Sequence, residues 1–269
     1  MRAVVTAMVC VVLLGFAYAI HIASYLPQFT YASITVKGTA VLSASDVQIF
    51  SQKYLSEHTK GYISETNIFV FKAVDLENAL SEKFHRIKRV QVEPDSFFAN
   101  SLTVSIEERQ TFARWCNLVE KEDTCYALDG NGFVFAPLDA QASTSNATAY
   151  TFRGPLATSS NSYITLLPIG GQYATGHFSG ILSLIESLGQ AGYITTEIST
   201  ENSQDVQVEL QQGFYIKASY GASPDEVTKN LKLVRSSDAL KDKQSQLEYV
   251  DLRFGNRVYY KFKGSQQVH

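Results

Sequence analysis

The stretch "HRIKRVQVEPDSFFANSLTVSIEERQ", residues 85–110, decides how the first half of the chain folds. Two segments in it, IKRVQVEP (87–94) and SLTVSIEER (101–109), alternate apolar and polar residues. Successive side chains of a strand point to opposite faces, so each segment reads as a half-buried strand. Residues 94–100 join the two. Glu107 and Glu108 then fall on opposite faces and cannot act as one carboxylate pair. Glu108 and Arg109 read as a solvated ion pair closing the strand, worth about 0.5 kcal/mol.

Working towards the N-terminus, DLENALSEKF (75–84) places Leu76, Ala79, Leu80 and Phe84 on one helical face. NIFVF (67–71) reads as a short extended piece. SASDVQIFSQKYL (43–55) opens with Ser43 and Asp46 as a capping start and carries Val47, Phe50 and Tyr54 at helical spacing. YASITVKG (31–38) alternates and stops at Gly38, a strand and a turn. The order is strand, helix, helix, strand, strand.

Residues 3–20 carry no charge. As a helix they extend roughly 27 Å, close to the ~30 Å hydrocarbon core of a bilayer. Arg2 precedes the run and no Lys or Arg follows before Lys37. That asymmetry predicts a cytoplasmic Met1-Arg2 tail, a membrane anchor over 3–20, a linker over 21–32 and an exported remainder. A cleaved signal peptide is the competing reading, with Ala17-Tyr18-Ala19 as its small-x-small site; the length of the run favours the anchor. Cys10 lies in the apolar run. Cys116 and Cys125 lie between two strand-like stretches, and outside the cytoplasm they are expected to form a disulfide. Closing that loop contributes roughly 2.5–3 kcal/mol. Two thiolates with no nearby His or further Cys do not make a zinc site.

Towards the C-terminus, CYALDGNGFVFAP (125–137) is a hairpin signal: strand, Asp-Gly-Asn-Gly turn, strand. Residues 142–150 and 157–163 are polar loops, and Asn146-Ala147-Thr148 has the form of a glycosylation sequon by chance. HFSGILSLIESLGQAGY (177–193) reads as a helix with Ile181, Leu182, Leu184, Ile185 and Leu188. Three strands follow over 194–221. SPDEVTKNLKLVRSS (223–237) starts a second helix with Ser223 as cap and Pro224 in the first turn, turning Val227, Leu231 and Val234 inward.

Signals for chemistry are weak. GGQYATGHF (170–178) has glycines at phosphate-loop spacing, but His177 and Phe178 stand where Lys and Ser or Thr are needed. The five histidines show no ligand spacing, and no Gly-x-Ser-x-Gly elbow occurs. The 269 residues carry a net charge of -3, without the basic excess of a nucleic-acid binder. The expectation is a non-enzymatic protein with no catalytic residue, cofactor or metal, working by binding.

The chain closes on LEYVDLRFGNRVYYKFK (247–263). Val250, Leu252 and Phe254 are expected to face the core, with Tyr249, Asp251 and Arg253 opposite. After a break at Gly255-Asn256, Arg257, Tyr259, Lys261 and Lys263 alternate with Val258, Tyr260 and Phe262. As an edge strand this segment offers unpaired backbone groups, either blunted by its charges or open to an added partner strand. Residues 248–263 carry four basic and two acidic side chains, a net +2 that suits an acidic partner.

The run of ITVKG, NIFVF, a helix, HRIKRVQVEP and LTVSIEERQTFARW resembles a POTRA domain, although Gln110-Thr111 stands where that pattern usually has a proline. An anchor directly before one such domain, followed by the hairpin, the helices and the closing strands, resembles the FtsQ/DivIB family of bacterial cell-division proteins, whose cytoplasmic tail is usually longer. The resemblance implies an α+β chain: a transmembrane helix, a β-α-α-β-β POTRA domain over 33–110, a mostly antiparallel β domain with two helices over 111–264, and a disordered tail over 265–269. It implies a non-catalytic divisome scaffold in the inner membrane at the septum. It also implies capture of FtsB- and FtsL-like partners through Tyr249, Phe254, Arg257, Val258, Tyr259 and Tyr260, and contact of the POTRA domain, through an edge such as ITVKG, with other division proteins. The alternatives are a POTRA-bearing protein of outer-membrane assembly or secretion, and an exported enzyme with a cleaved signal.

Overall fold

Residue patterns with period two and period 3.6 become strands and helices in two compact units, Met1–Arg109 and Gln110–His269. The computed structural model describes residues 2–59, 61–117, 124–138, 150–157, 168–200, 202, 204–238, 240, 243–255 and 257–264. The polar loops (apart from Tyr150 and Ala157), the sequon and the tail at 265–269 lie outside them.

The first unit opens with α1 (Arg2–Ser24), long and apolar enough to cross a membrane. It runs past the expected 3–20 at both ends, and its last turn bonds to residues beyond it. After it come β1 (Ser33–Lys37), α2 (Ala44–Glu57), α3 (Ala73–Lys83), β2 (Ile87–Pro94) and β3 (Ser101–Glu108). The sheet order is β1-β3-β2, with β3 parallel to β1 and antiparallel to β2. The two helices supply the crossover that a parallel pair requires. They bury Val47, Leu55, Leu76 and Leu80 against Ile34, Val92, Leu102 and Val104. Each such side chain contributes about 1.5–3 kcal/mol. Ser43 caps α2 by accepting from the Asp46 N–H at 3.3 Å. Gly38 turns the chain at φ +84°, where a Cβ would collide with the Ile106 carbonyl oxygen.

Two expectations fail here. NIFVF is not extended. After an isolated bridge between Thr30 and Asn67 the chain turns, and the N–H groups of Val70 and Phe71 return to the Asn67 carbonyl at 3.0 and 2.9 Å. The Asn67 side chain forces the turn by accepting from the Phe69 N–H at 3.1 Å. Nor is Glu108 half of a solvated pair. It is buried, and one carboxylate oxygen accepts from the N–H groups of Ala40, Val41 and Leu42 at 2.6, 3.0 and 3.0 Å, tying the end of β3 to the loop before α2. Arg109 instead donates from Nε to the His85 carbonyl at 3.1 Å. Glu107 takes the surface pairing, 2.7 Å from Lys88.

The second unit contains β4 (Ala113–Cys116), β5 (Cys125–Leu128), β6 (Val134–Pro137), β7 (Thr151–Arg153), β8 (Leu156–Ala157), β9 (Gln172–Tyr173), α4 (Phe178–Gln190), β10 (Thr195–Ser199), β11 (Asp205–Leu210), β12 (Tyr215–Ser219), α5 (Pro224–Arg235), β13 (Leu247–Phe254) and β14 (Arg257–Phe262). Nine strands form one sheet in the order β14-β13-β12-β11-β10-β7-β4-β5-β6, and β8 pairs with β9 separately. Pairings β12–β13, β7–β10 and β4–β7 are parallel, so the sheet is mixed with an antiparallel majority. Helices α4 and α5 cover one face through Ile181, Leu184, Leu188, Val227 and Leu231, which share a core with Val206, Val208, Ile216 and Val250. Ser223 stands at the N-cap of α5, but its side chain makes no capping bond; Pro224 fixes the first turn. In the β5–β6 hairpin, Asp129 Oδ1 accepts from the N–H groups of Asn131 and Phe133 at 2.8 and 2.9 Å. Cys116 and Cys125, directly paired across β4 and β5, form the expected disulfide.

Burial pushes the Glu108 carboxyl up, but the three amides and nearby Arg86 outweigh it and hold it below the usual carboxylate range. A carboxyl depressed in the folded state stabilises above its unfolded value, about 4.3, and that contribution is lost as pH falls through the folded value. Glu108→Gln is expected to cost the first unit about 1–3 kcal/mol at neutral pH and to flatten the acid limb of its stability curve, as measured by denaturant titration across pH. Cys116→Ser with Cys125→Ser is expected to lower the stability of the second unit by roughly 2–3 kcal/mol, and reductant should reproduce that loss in the wild type and do nothing further to the variant.

Candidate functional site

An open sheet ends in two strands, each with a row of backbone groups lacking a neighbour. The two larger sheets therefore have four edges: β1, β2, β6 and β14. Three carry at least one bond from a neighbouring element. On β1, Gln48 Nε2 donates to the Ile34 carbonyl at 3.0 Å. On β2, the Val92 N–H donates to Glu77 Oε1 at 2.8 Å. On β6, the Val134 N–H donates to the Gly171 carbonyl at 2.9 Å, and the Gly170 N–H donates to the Val134 carbonyl at 2.8 Å. The glycine loop that mimics a phosphate cradle in sequence thus closes a sheet edge.

The fourth edge is β14. Its pairing with β13 is antiparallel, Tyr249 opposite Lys261, Val250 opposite Tyr260 and Asp251 opposite Tyr259. Two register shifts interrupt it, between Leu247 and Tyr249 and between Asp251 and Phe254, and both put the extra residue on β13. Strand β14 itself stays regular. The Lys263 N–H donates inward to the Gln246 carbonyl at 2.8 Å. By the alternation of an antiparallel strand, the N–H groups of Arg257, Tyr259 and Lys261 also point inward, and those of Val258, Tyr260 and Phe262 point away from the sheet. Among the described residues no side chain covers those of Val258 and Tyr260.

The sequence-predicted residues do not form one cluster. Tyr259 and Phe254 meet at 5.2 Å between ring centroids, edge to face, and both are 52% exposed. Phe254 was expected in the core beside Val250 and Leu252. The register shift after Asp251 breaks the alternation and turns Phe254 out, where the Arg253 guanidinium lies 5.5 Å from its ring centre. Tyr260 shares the helix-covered face with Val250 yet is 41% exposed. Val258 is half-buried and packs on the core, and Arg257 is exposed. Tyr249 belongs elsewhere. It stacks on Tyr215 at 5.4 Å on the open face of an interior strand, with Lys217 Nζ 5.3 Å from its ring centre. The edge positions are therefore Phe254, Arg257, Val258, Tyr259 and Tyr260.

Charge is distributed less evenly than the sequence implies. Arg253 is tied down: it grips Asp251 through Nε and Nη2 at 2.9 and 2.6 Å and reaches Asp205 on β11 through Nη1 at 2.9 Å. Asp205 also accepts from Ser219 Oγ on β12 at 3.1 Å, so three strands are fastened at one point. Burial raises the Asp205 carboxyl, but Arg253, Ser219 and Asn202 outweigh that and hold it below the usual range. Lys261 pairs with Glu248 at 2.9 Å. The net +2 of the hairpin is thus carried by Arg257, at the start of β14, and Lys263, just past its end. Asp205 and Ser219, distant in sequence, were missed because no local pattern marks a partner one strand beyond the neighbour.

Among the described residues no three His, Cys, Asp or Glu side chains gather closely enough to hold a metal ion. No protein-family model matches the chain. No curated protein is significantly similar to it either.

Two substitution classes should separate on the hairpin. Phe254→Ser, Tyr259→Ser and Tyr260→Ser remove exposed rings, and each is expected to change unfolding free energy by less than about 1 kcal/mol. Arg253→Ala strands the buried Asp251 carboxylate and is expected to cost about 2–3 kcal/mol, partly restored by Arg253→Lys, in urea titrations followed by circular dichroism.

Proposed function

We propose that this chain is a non-catalytic scaffold of the bacterial divisome, of the FtsQ/DivIB type, held in the inner membrane by α1 with its N-terminus in the cytoplasm and its two units outside. In this reading the first unit is a POTRA domain, and its β-α-α-β-β order with β3 central supports that assignment. The Cys116–Cys125 disulfide supports an exported second unit. The scaffold works at the septum, recruiting FtsB- and FtsL-like proteins to the site of cell-wall synthesis. The first unit offers other division proteins a second contact surface.

The observation that carries the reading is the open edge of β14. An extended partner segment adds as a tenth strand, bonding to the outward groups of Val258 and Tyr260. Backbone bonds supply affinity; Tyr259, Tyr260 and Phe254 supply apolar contact area at the rim. Arg257 and Lys263 favour acidic residues on the partner, spaced by the length of the strand.

The full chain in detergent, mixed with the FtsB- and FtsL-like ectodomains from the same genome, tests this reading. Tyr260→Pro and Val258→Pro remove outward N–H groups without touching the inward ladder. Each is expected to weaken co-purification at least about tenfold while circular dichroism stays native, whereas Val258→Ala binds normally. Binding that survives both prolines would show that β14 is only structural. A wild type that captures neither partner would remove the divisome reading itself.

A further inference from the structure

The first unit places its exposed aromatic side chains at one end. Strands β1 and β3 run parallel with Ser33 opposite Ser101, so the start of β1 and the loop entering β3 share one end of the sheet. The N–H of Ala32 donates to the Asn100 carbonyl at 2.9 Å and fastens them together. That is also the end at which α1 docks. Asn67 Nδ2 donates to the Ser24 carbonyl at 3.0 Å, the Ser64 N–H donates to Ser24 Oγ at 3.3 Å, and His21 Nδ1 lies 2.6 Å from the Tyr62 carbonyl. The Ile68 N–H bonds the Phe29 carbonyl at 2.9 Å. Two loops, 61–70 and 95–100, therefore flank the point where α1 ends.

Both loops present aromatic residues to the outside. Phe97 and Phe98 are 79% and 69% exposed, with their rings edge to face at 4.8 Å. Phe69 and Tyr62 are 62% and 60% exposed. Together with Tyr25 they are the exposed aromatic side chains of this unit beyond α1, among the described residues. Residues 22–36 contain no charged side chain. The Asp95 carboxylate beside the phenylalanines is bonded to Ser101 and Thr103, and Glu65 is the remaining acidic group in the described parts of the two loops.

We infer that loops 61–70 and 95–100 seat in the headgroup region of the bilayer that α1 crosses, Phe97 and Phe98 reaching the acyl boundary. Exposed aromatic rings at the water-facing end of a membrane helix find their lowest free energy at that boundary. The hydrogen bonds from α1 to residues 61–67 hold the unit close to the surface rather than on a free tether. The occupant is lipid rather than a protein partner because the patch is continuous with a helix whose apolar stretch is wholly exposed and itself requires lipid. The inference rests on α1 being kept as a membrane span.

The full chain, reconstituted in vesicles of phosphatidylcholine and phosphatidylglycerol with brominated acyl chains, carries the test. Trp115 is the single native tryptophan and is buried, which gives a constant background. Phe97→Trp and Phe98→Trp are expected to emit at shorter wavelength and to be quenched by the bromines. Val41→Trp is the control: Val41 is 71% exposed but sits beside Glu108 at the opposite end of the sheet. Phe16→Trp reports on α1 itself. Quenching at Phe16, Phe97 and Phe98 with none at Val41 supports the inference. Quenching at Phe16 alone overturns it and leaves the anchor standing. No quenching at Phe16 removes the anchor, and the inference with it.

Discussion

Backbone hydrogen bonding at sheet edges is the constraint on which this structure turns. Every strand pair inside a sheet satisfies its own N–H and C=O groups, but a terminal strand does not, and a sheet of nine strands that fails to close must stop twice. The chain resolves this with whatever is nearest. A glutamine on α2 serves β1, a glutamate on α3 serves β2, and two glycines of a loop serve β6. Each device is a by-product of the element packed beside the edge. On β14 the outward N–H groups of Val258 and Tyr260 meet no such side chain or loop among the described residues.

The second unit concentrates its tie points where the sheet would otherwise splay. Strand β12 ends at Ser219, just where β13 continues towards the turn. Arg253 reaches past that end to Asp205 and holds Asp251 with its remaining nitrogens. A guanidinium suits the task because its fixed fork serves two carboxylates at once, which an ammonium on a flexible stem does less well. The same arrangement removes Arg253 from any role as a free cation on the surface.

Much of the secondary structure was legible from local pattern. Alternation identified β2, β3, β11 and β12, and the capping serines and apolar spacing identified α2, α3, α4 and α5. The cysteine pair was legible from its flanking strands. What local pattern lacked was pairing across distance. Nothing between 113 and 153 announces that β7 lies parallel to β4, since parallel partners share no turn. Asn67 outweighed the extended propensity of NIFVF through one side-chain bond, and Glu108 traded a solvated neighbour for three buried amides. At the candidate edge, the alternation of β14 read correctly, while that of β13 failed after Asp251 because an extra residue is invisible to a period-two count.

The position of those extra residues bears on what β14 is for. A bulge bends and twists the strand that carries it, and a protein blunting an edge puts the bulge on the edge strand, where it spoils the row of free groups. Here both irregularities lie on β13, the strand behind the edge. They absorb the local twist and the mismatch in strand length while β14 keeps an unbroken repeat from Arg257 to Phe262. Its outward groups are thus spaced about 6.8 Å apart, two residues of extended chain, which is the spacing a second strand requires. Charge near the edge follows the same division. Lys261, next to last in the strand, is neutralised by Glu248, residues 258–260 carry no charge, and Arg257 and Lys263 stand at its start and just past its end. Blunting by charge would instead leave the middle of the strand charged. An edge strand with regular backbone, neutral centre and basic ends discourages indiscriminate pairing only weakly along its length and more strongly at its termini. Two such edges brought together antiparallel would set basic ends beside basic ends, so the charge pattern opposes self-pairing.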